Sequence, residues 1–173
     1  MTVDIISTNR LLLRSTCDSD FGTLYDIAFS DPEVMCHAFE GKPLSKKEST
    51  DFFTNSFDHD GNGKQIGVLV LKNADIPIGF AGLWACSVLG KLDYEIGFVL
   101  GQEFWGKGYA TEIGLAQIDY GLDTIGCNRL LALVSPKNIP SISVLHNIGM
   151  VYHATAETEK RGIKEIYIAQ RHT

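Results

Sequence analysis

The residues best suited to chemistry lie in one short stretch: Gly101-Gln102-Glu103-Phe104-Trp105-Gly106-Lys107-Gly108-Tyr109-Ala110-Thr111-Glu112. A strand-like segment, Leu92 to Leu100, leads into it, and a helix-like segment, Thr111 to about Leu122, leads out. Glycine lets a ligand approach the backbone closely. The first turn of a helix leaves N–H groups without partners, and the helix dipole favours negative charge there. Strand, turn and helix start together form an anion cradle, whose natural guest is a phosphate or pyrophosphate. The expected holders are the N–H groups of Trp105, Gly106, Lys107, Gly108, Tyr109 and Ala110, with Thr111 opening the helix. The Lys107 side chain either adds charge near the phosphate or is a solvated loop lysine.

Three known cradles compete. Gly101-x-x-x-x-Gly106-Lys107 fits most of a P-loop, but Gly108 stands where magnesium needs Ser or Thr. The dinucleotide pattern G-x-G-x-x-G is half met, since Thr111 takes the last glycine position and no strand–turn unit near the N-terminus precedes it. The third is Gln/Arg-x-x-Gly-x-Gly/Ala, the pyrophosphate loop of the GNAT N-acetyltransferases. Trp105-Gly106-Lys107-Gly108-Tyr109-Ala110 matches its Gly and Ala positions, with Trp105 in the first slot. The segment resembles that superfamily, in particular the branch of the ribosomal-protein N-terminal alanine acetyltransferases, where Trp-Gly-Lys-Gly-Tyr-Ala-Thr-Glu is familiar wording. Thr8-Asn9-Arg10-Leu11-Leu12-Leu13-Arg14 is similar to the opening of the same branch.

A second motif follows about 30 residues later. Asn138-x-x-Ser141-x-x-Val144-Leu145-x-x-x-Gly149-Met150 resembles the superfamily's Asn-x-x-Ala/Ser-x-x-Leu/Val-Tyr/Leu-x-x-x-Gly-Phe. Asn138 is expected to bond the coenzyme A arm; read without the resemblance, it is a helix N-cap and Gly149 a C-cap. Leu145 stands where many members carry Tyr as general acid. The resemblance then passes that role to Ser141.

The elements that must position these residues follow from periodicity. Helices are expected over Phe21–Ala28, in a short piece after Pro32, after the Ser45–Glu48 capping box, after the cradle, and from Ser141 to Ile148. Strands are expected over Thr8–Arg14, Gln65–Leu71, Ile76–Ala85, Leu92–Leu100, Arg129–Val134, Met150–Ala154 and Lys164–Ala169, with Glu157–Gly162 a charged connection and Asp58–Gly63 a loop. The resulting fold class is mixed α/β. It is one domain over 1–173, with a mostly antiparallel twisted sheet of six or seven strands flanked by helices. The resemblance adds a splay between the fourth and fifth strands.

Composition narrows the function. The chain has 173 residues, 45% of them apolar, which suits one globular domain. A net charge of −6 argues against a broad nucleic-acid surface. No apolar run is long enough for a membrane span, and Met1–Asp4 shows no leader signal. Cys17, Cys36, Cys86 and Cys127 are scattered and read as reduced thiols. No metal site is expected, and the expected location is cytoplasmic.

The resemblance implies acetyl-CoA as co-substrate and direct attack by a primary amine in a ternary complex. The backbone groups of Phe98, Val99 and Leu100 would pair with pantetheine as with an added strand. Glu95 is the candidate base, directly or through water, and is otherwise a polar strand residue. An α-amine has a pKa near ~8 and a lysine near ~10.4, so roughly a tenth of the former but under a thousandth of the latter is neutral at pH 7. A single modest base suits the easier acceptor, a protein N-terminal amine or a small weakly basic amine. The rival reading is a non-catalytic acyl-CoA-binding module. The protein is expected to be a monomer or homodimer.

Overall fold

In the computed structural model, which describes residues 1–171, the strand-forming runs pair into one eight-stranded sheet. The strands are β1 (Asp4–Ser7), β2 (Leu11–Arg14), β3 (Ile66–Leu71), β4 (Ile76–Cys86), β5 (Asp93–Leu100), β6 (Arg129–Val134), β7 (Val151–Thr158) and β8 (Gly162–Gln170). They lie in the order β1-β2-β3-β4-β5-β6-β8-β7, and only β5 and β6 run parallel. The helices are α1 (Asp20–Leu24), which runs on through a π turn, α2 (Pro32–Met35), α3 (Lys46–Ser56), α4 (Tyr109–Asp119), also extended by a π turn, and α5 (Ile139–Asn147).

The sheet exceeds the expected six or seven strands because Thr8–Arg14 is not a single strand. The Thr8 N–H donates to the Leu11 carbonyl at 2.9 Å, and the Leu11 N–H donates to Thr8 Oγ1 at 3.0 Å. The chain turns back there, and Asp4–Ser7 pairs with β2 as an eighth strand. The closing hairpin is also longer than expected, because Glu157, Thr158 and Gly162 of the charged connection belong to its strands.

Each face of the sheet has its own cover. One core cluster joins Leu24, Phe29, Phe53 and Phe57 of the early helical segment to Val68, Val70 and Phe80 of β3 and β4. Phe29, Phe57 and Phe80 are essentially inaccessible and meet at centroid separations of 5.4–6.0 Å. A second cluster joins Leu130, Ala132 and Val134 of β6 to Leu145 and Ile148 of the α5 segment. Ser45 and Glu48 form the expected capping box on α3. At the start of α1, the buried Asp20 carboxylate accepts from Arg14 at 2.8 and 2.9 Å and from the Cys17 N–H at 2.9 Å.

The parallel pair positions the site. Arg129 grips Asp93 through two bonds of 2.8 and 2.9 Å, tying the starts of β5 and β6 together. Register pairing then covers only Tyr94↔Leu130 and Glu95↔Leu131. Beyond Glu95 the strands part, and the edge of β5 from Ile96 onward faces the gap.

These ion pairs also set an acid limit. Arg129 holds the Asp93 carboxyl below its ordinary range, with burial opposing. At Asp20 burial is the larger influence and pulls upward, but Arg14 and the Cys17 N–H together outweigh it. A carboxylate whose pKa is lower in the folded than in the unfolded state stabilises above the unfolded value, about 4. That stabilisation is lost as pH falls through the folded value. The melting temperature should therefore hold from pH 7 to about 5 and fall below about 4. Calorimetric melts across pH check this, and a flat profile down to pH 2 would contradict it.

Candidate active site

The gap between β5 and β6 opens into a cavity of about 570 Å³. Its walls include Glu95 to Leu100, Trp105, Gly106, Gly108 to Thr111, Asn138, Ser141 and Leu145, so it brings together nearly all of the expected site residues.

Along β5 the backbone alternates. The Gly101 N–H donates to the Ile78 carbonyl at 2.9 Å, and the register with β4 is regular from Gly79↔Leu100 to Cys86↔Asp93. In an antiparallel ladder that assigns the odd-numbered residues' backbone groups to β4 and turns those of Phe98 and Leu100 toward the gap. The backbone groups of Val99 therefore belong to β4, and Val99 stands on the cavity wall. Gly97 has a steric reason: a Cβ there would lie 2.3 Å from Cη2 of Trp84, whose indole covers it.

The cradle is built as the glycines require. Gly106 and Gly108 have φ of +72° and +81°, the left-handed region that favours glycine. Gly108 is the N-cap of α4, and the Glu112 N–H donates to its carbonyl at 3.0 Å. Among the described residues, no acceptor bonds the six consecutive N–H groups from Gly106 to Thr111. Trp105 does not join them: its N–H donates to Gln102 at 3.1 Å and its indole N–H to the Leu100 carbonyl at 2.9 Å. It closes the turn instead. The Lys107 ammonium lies 6.0 Å from the ring centroid of Phe104, a residue of the cavity wall.

A clamp from the far end of the chain fixes this loop. Arg10 donates to Glu112 from its backbone N–H at 2.8 Å and from Nε at 2.7 Å, and to the Lys107 carbonyl at 2.9 Å. Its guanidinium lies 4.6 Å from the Tyr109 ring centroid, and Thr8 Oγ1 donates to Glu112 at 2.6 Å. Burial would raise the Glu112 pKa, but Thr8 and Arg10 together hold it down. In the sequence the Arg10 phrase shows a strand pattern and a family resemblance; its physical task is to set the loop. Arg10→Ala should weaken acetyl-CoA binding about tenfold, equivalent to about 1.4 kcal/mol. Calorimetric titration reads this, and unchanged affinity would remove the clamp from the account.

Asn138 is the N-cap of α5. Its Oδ1 accepts from the Ser141 N–H at 3.3 Å, and its Nδ2 donates to Ser141 Oγ at 2.9 Å. The amide is thus largely spent on Ser141 rather than free for coenzyme A. In return, Ser141 Oγ is used as an acceptor, so its own proton is left to donate elsewhere. Leu145, 3% exposed, lines the cavity with an apolar side chain that offers no proton donor.

Glu95 is 2% exposed, and its partners could not be read from the sequence. Arg161, from the turn between β7 and β8, donates to both its oxygens at 2.9 and 3.0 Å, and the Trp84 indole N–H donates to Oε2 at 3.1 Å. A carboxylate offers about four acceptor positions. Three are filled here, leaving one on Oε1. Of the early helical segment, Phe21 to Phe57, only residues between Glu33 and Phe39 reach the cavity. Phe21, Phe29, Phe52, Phe53 and Phe57 pack in the core around Phe80.

Among the described residues, no group of three or more His, Cys, Asp or Glu is placed to hold a metal ion, and no helix is long and apolar enough to cross a membrane.

Comparison with known proteins agrees with this geometry. Residues 10–151 match the family described as Acetyltransferase (GNAT) domain. The uncharacterised N-acetyltransferase YnaD of Bacillus subtilis is 32% identical over 145 residues, covering 84% of this chain and 81% of its own. A GNAT-family acetyltransferase structure from Bacillus anthracis superposes with a TM-score of 0.79 at 24% identity, covering 95% of this chain and 97% of the other. The spermidine N-acetyltransferase of Vibrio cholerae, in complex with CoA and spermine, superposes at 0.74 with 16% identity, covering 94% and 96%. The splayed strands, the glycine cradle of unpaired N–H groups and these matches lead to one conclusion: the chain belongs to the GNAT acetyltransferase family, with acetyl-CoA as its co-substrate.

Proposed function

We propose that this protein transfers the acetyl group of acetyl-CoA to a primary amine, either a peptide N-terminal amine or a small amine, within a ternary complex. The observation that carries this reading is the run of six unpaired N–H groups, Gly106 to Thr111, at the mouth of a cavity that also holds Ser141 and Glu95. Charge-assisted hydrogen bonds are worth roughly 1.5–3 kcal/mol each, so a few of them suffice to hold a diphosphate. The gap-facing backbone groups of Phe98 and the Leu100 N–H pair with the pantetheine arm and align the thioester beside the acceptor. Ser141, its hydroxyl oxygen bonded by Asn138, donates its proton to the leaving thiolate.

Glu95 accepts the amine's proton through a water on the free position of Oε1. A single base with one free acceptor position suits an amine that is already partly neutral at pH 7 better than a lysine side chain. The Trp-Gly-Lys-Gly-Tyr-Ala-Thr-Glu wording favours a peptide N-terminus of the ribosomal-protein type. A polyamine, the ligand of the Vibrio cholerae neighbour, fits this reading less well because it is strongly basic.

The test is acetyl transfer to a panel of short peptides and small amines, with Glu95→Gln run in parallel. The expected result is turnover of at least one weakly basic amine, with kcat/KM reduced about 10²-fold or more in the variant, as for loss of a general base. Acetyl-CoA binding without turnover of any amine would instead support a non-catalytic acyl-CoA-binding module.

A further inference from the structure

Among the described residues, Lys164 is the one strongly buried cation in the cavity wall that the proposed mechanism does not use. It is 5% exposed, yet it lines the same cavity as Ser141 and Glu95. Its place follows from register. β8 pairs with β6 through Leu131↔Ile168, Leu133↔Ile166 and Val134↔Glu165. Lys164 is the next residue of β8, beside the point where the chain leaves β6 for Ser135 to Ser141. Alternation along the strands puts Lys164, Ile166 and Ile168 on the face that carries Leu131. Glu95 is the register partner of Leu131 and shares that face.

The charges around Lys164 do not balance. Burying an ammonium is costly unless it is paired. Glu95 is the nearby carboxylate, but Arg161 occupies both its oxygens and Trp84 a third position. Among the described residues, Lys164 forms no ion pair. Cys86, close enough to Arg161 and Glu95 to feel their charge, has its thiol pushed up mainly by burial and so stays neutral. Arg161 and Glu95 cancel, and protonated Lys164 leaves the cluster at +1. Burial and the Arg161 guanidinium depress the Lys164 pKa, and Glu95 opposes them only in part. A carboxylate beside the ammonium would relieve that imbalance, whereas a second cation would aggravate it. Glu33 and His37, also on the cavity wall, are exposed residues on and after α2.

We propose that Lys164 reads a carboxylate carried by the acceptor, so that the amine acetylated here belongs to an amino acid or to a peptide end with an acidic first residue. This rests on the acetyl-transfer reading above. The two sources share one chemistry, a carboxylate a few bonds from a primary amine.

The experiment has three acceptor arms: free amino acids against their carboxamides, tripeptides beginning with Asp or Glu against those beginning with Asn or Gln, and spermine. In at least one of the first two arms the carboxylate should be preferred about tenfold or more in kcat/KM, an effect of about 1.4 kcal/mol. Spermine should be poor. Lys164→Met should bring that preference to near unity while leaving acetyl-CoA affinity unchanged, and Lys164→Arg should restore part of it. Equal use of acid and amide, preference for spermine, or a preference that survives in Lys164→Met overturns the proposal.

A binding arm separates this from failure of the acetyl-transfer reading. Titration of the protein–CoA complex with N-acetylated amino acids and their carboxamides needs no turnover. Tighter binding of the acids, lost in Lys164→Met, supports the carboxylate site even if no amine is acetylated. Equal binding removes it even if acetylation is seen.

Discussion

Gly106→Val should lose acetyl-CoA binding by a factor of about 10² to 10⁴, with little change in the remainder of the fold. Position 106 has φ of +72°, and nothing lies within 4 Å of where a Cβ would sit, so the substitution meets no steric clash. The cost is conformational. A β-branched residue is a true outlier in the left-handed region, and strain of this kind costs about 1–3 kcal/mol. The loop relaxes to another φ, and the N–H groups of Gly106 and Lys107 turn away from their common focus. Losing two charge-assisted bonds removes about 3–6 kcal/mol of binding, which the remaining four amides only partly offset. Because Gly106 is exposed at a turn, the melting temperature of the free protein should move by only a few degrees. Titration with acetyl-CoA, beside a thermal melt, separates this outcome from general unfolding. Wild-type affinity in the variant would show that the loop does not hold the ligand.

Ser141→Ala should lower kcat about 10²- to 10³-fold, the range expected for loss of a general acid, and leave acetyl-CoA affinity within about twofold, below about 0.4 kcal/mol. The two parameters separate because Ser141 Oγ is not part of the cradle. Its one hydrogen bond in the structure is to Asn138 Nδ2, and the N-cap on α5 survives the change, since Asn138 Oδ1 bonds the backbone N–H of residue 141. Cysteine at 141 should recover part of the rate, because a thiol donates a proton more readily than a hydroxyl. Steady-state kinetics with the amine identified by the acceptor panel read the effect. An unchanged kcat would mean that the thiolate leaves without help from this side chain.

Local features of the site were legible in the sequence. Two glycines separated by one residue, placed after a strand and before a helix, can do little else than turn through left-handed φ and expose amides. Asn138, three residues before Ser141, is an N-cap on spacing alone, and the structure has it so. Long-range features were not legible. The Arg10–Glu112 clamp joins residues 102 positions apart, and no periodicity encodes that meeting. Arg161 falls in a stretch that reads as a charged loop, and only when β7 and β8 extend into it does its guanidinium arrive at Glu95. Lys164 looks like an ordinary strand-edge lysine until the register with β6 turns it onto the Glu95 face. The eighth strand escaped because a fold-back at Thr8 depends on one side-chain oxygen rather than on Gly or Pro. Trp105 was misread in detail: its N–H groups close the turn at Gln102 and Leu100, so the cradle begins one residue later.

The most direct test compares acetyl-CoA with S-acetylpantetheine, which keeps the thioester and the arm but lacks the nucleotide and its diphosphate. Calorimetric titration of the wild-type protein should show acetyl-CoA binding at least about 100-fold tighter, a gap of about 2.7 kcal/mol, and Gly106→Val should close most of that gap. Equal affinity for the two ligands, or no heat with acetyl-CoA at millimolar concentration, would contradict the claim that the amides from Gly106 to Thr111 grip a diphosphate.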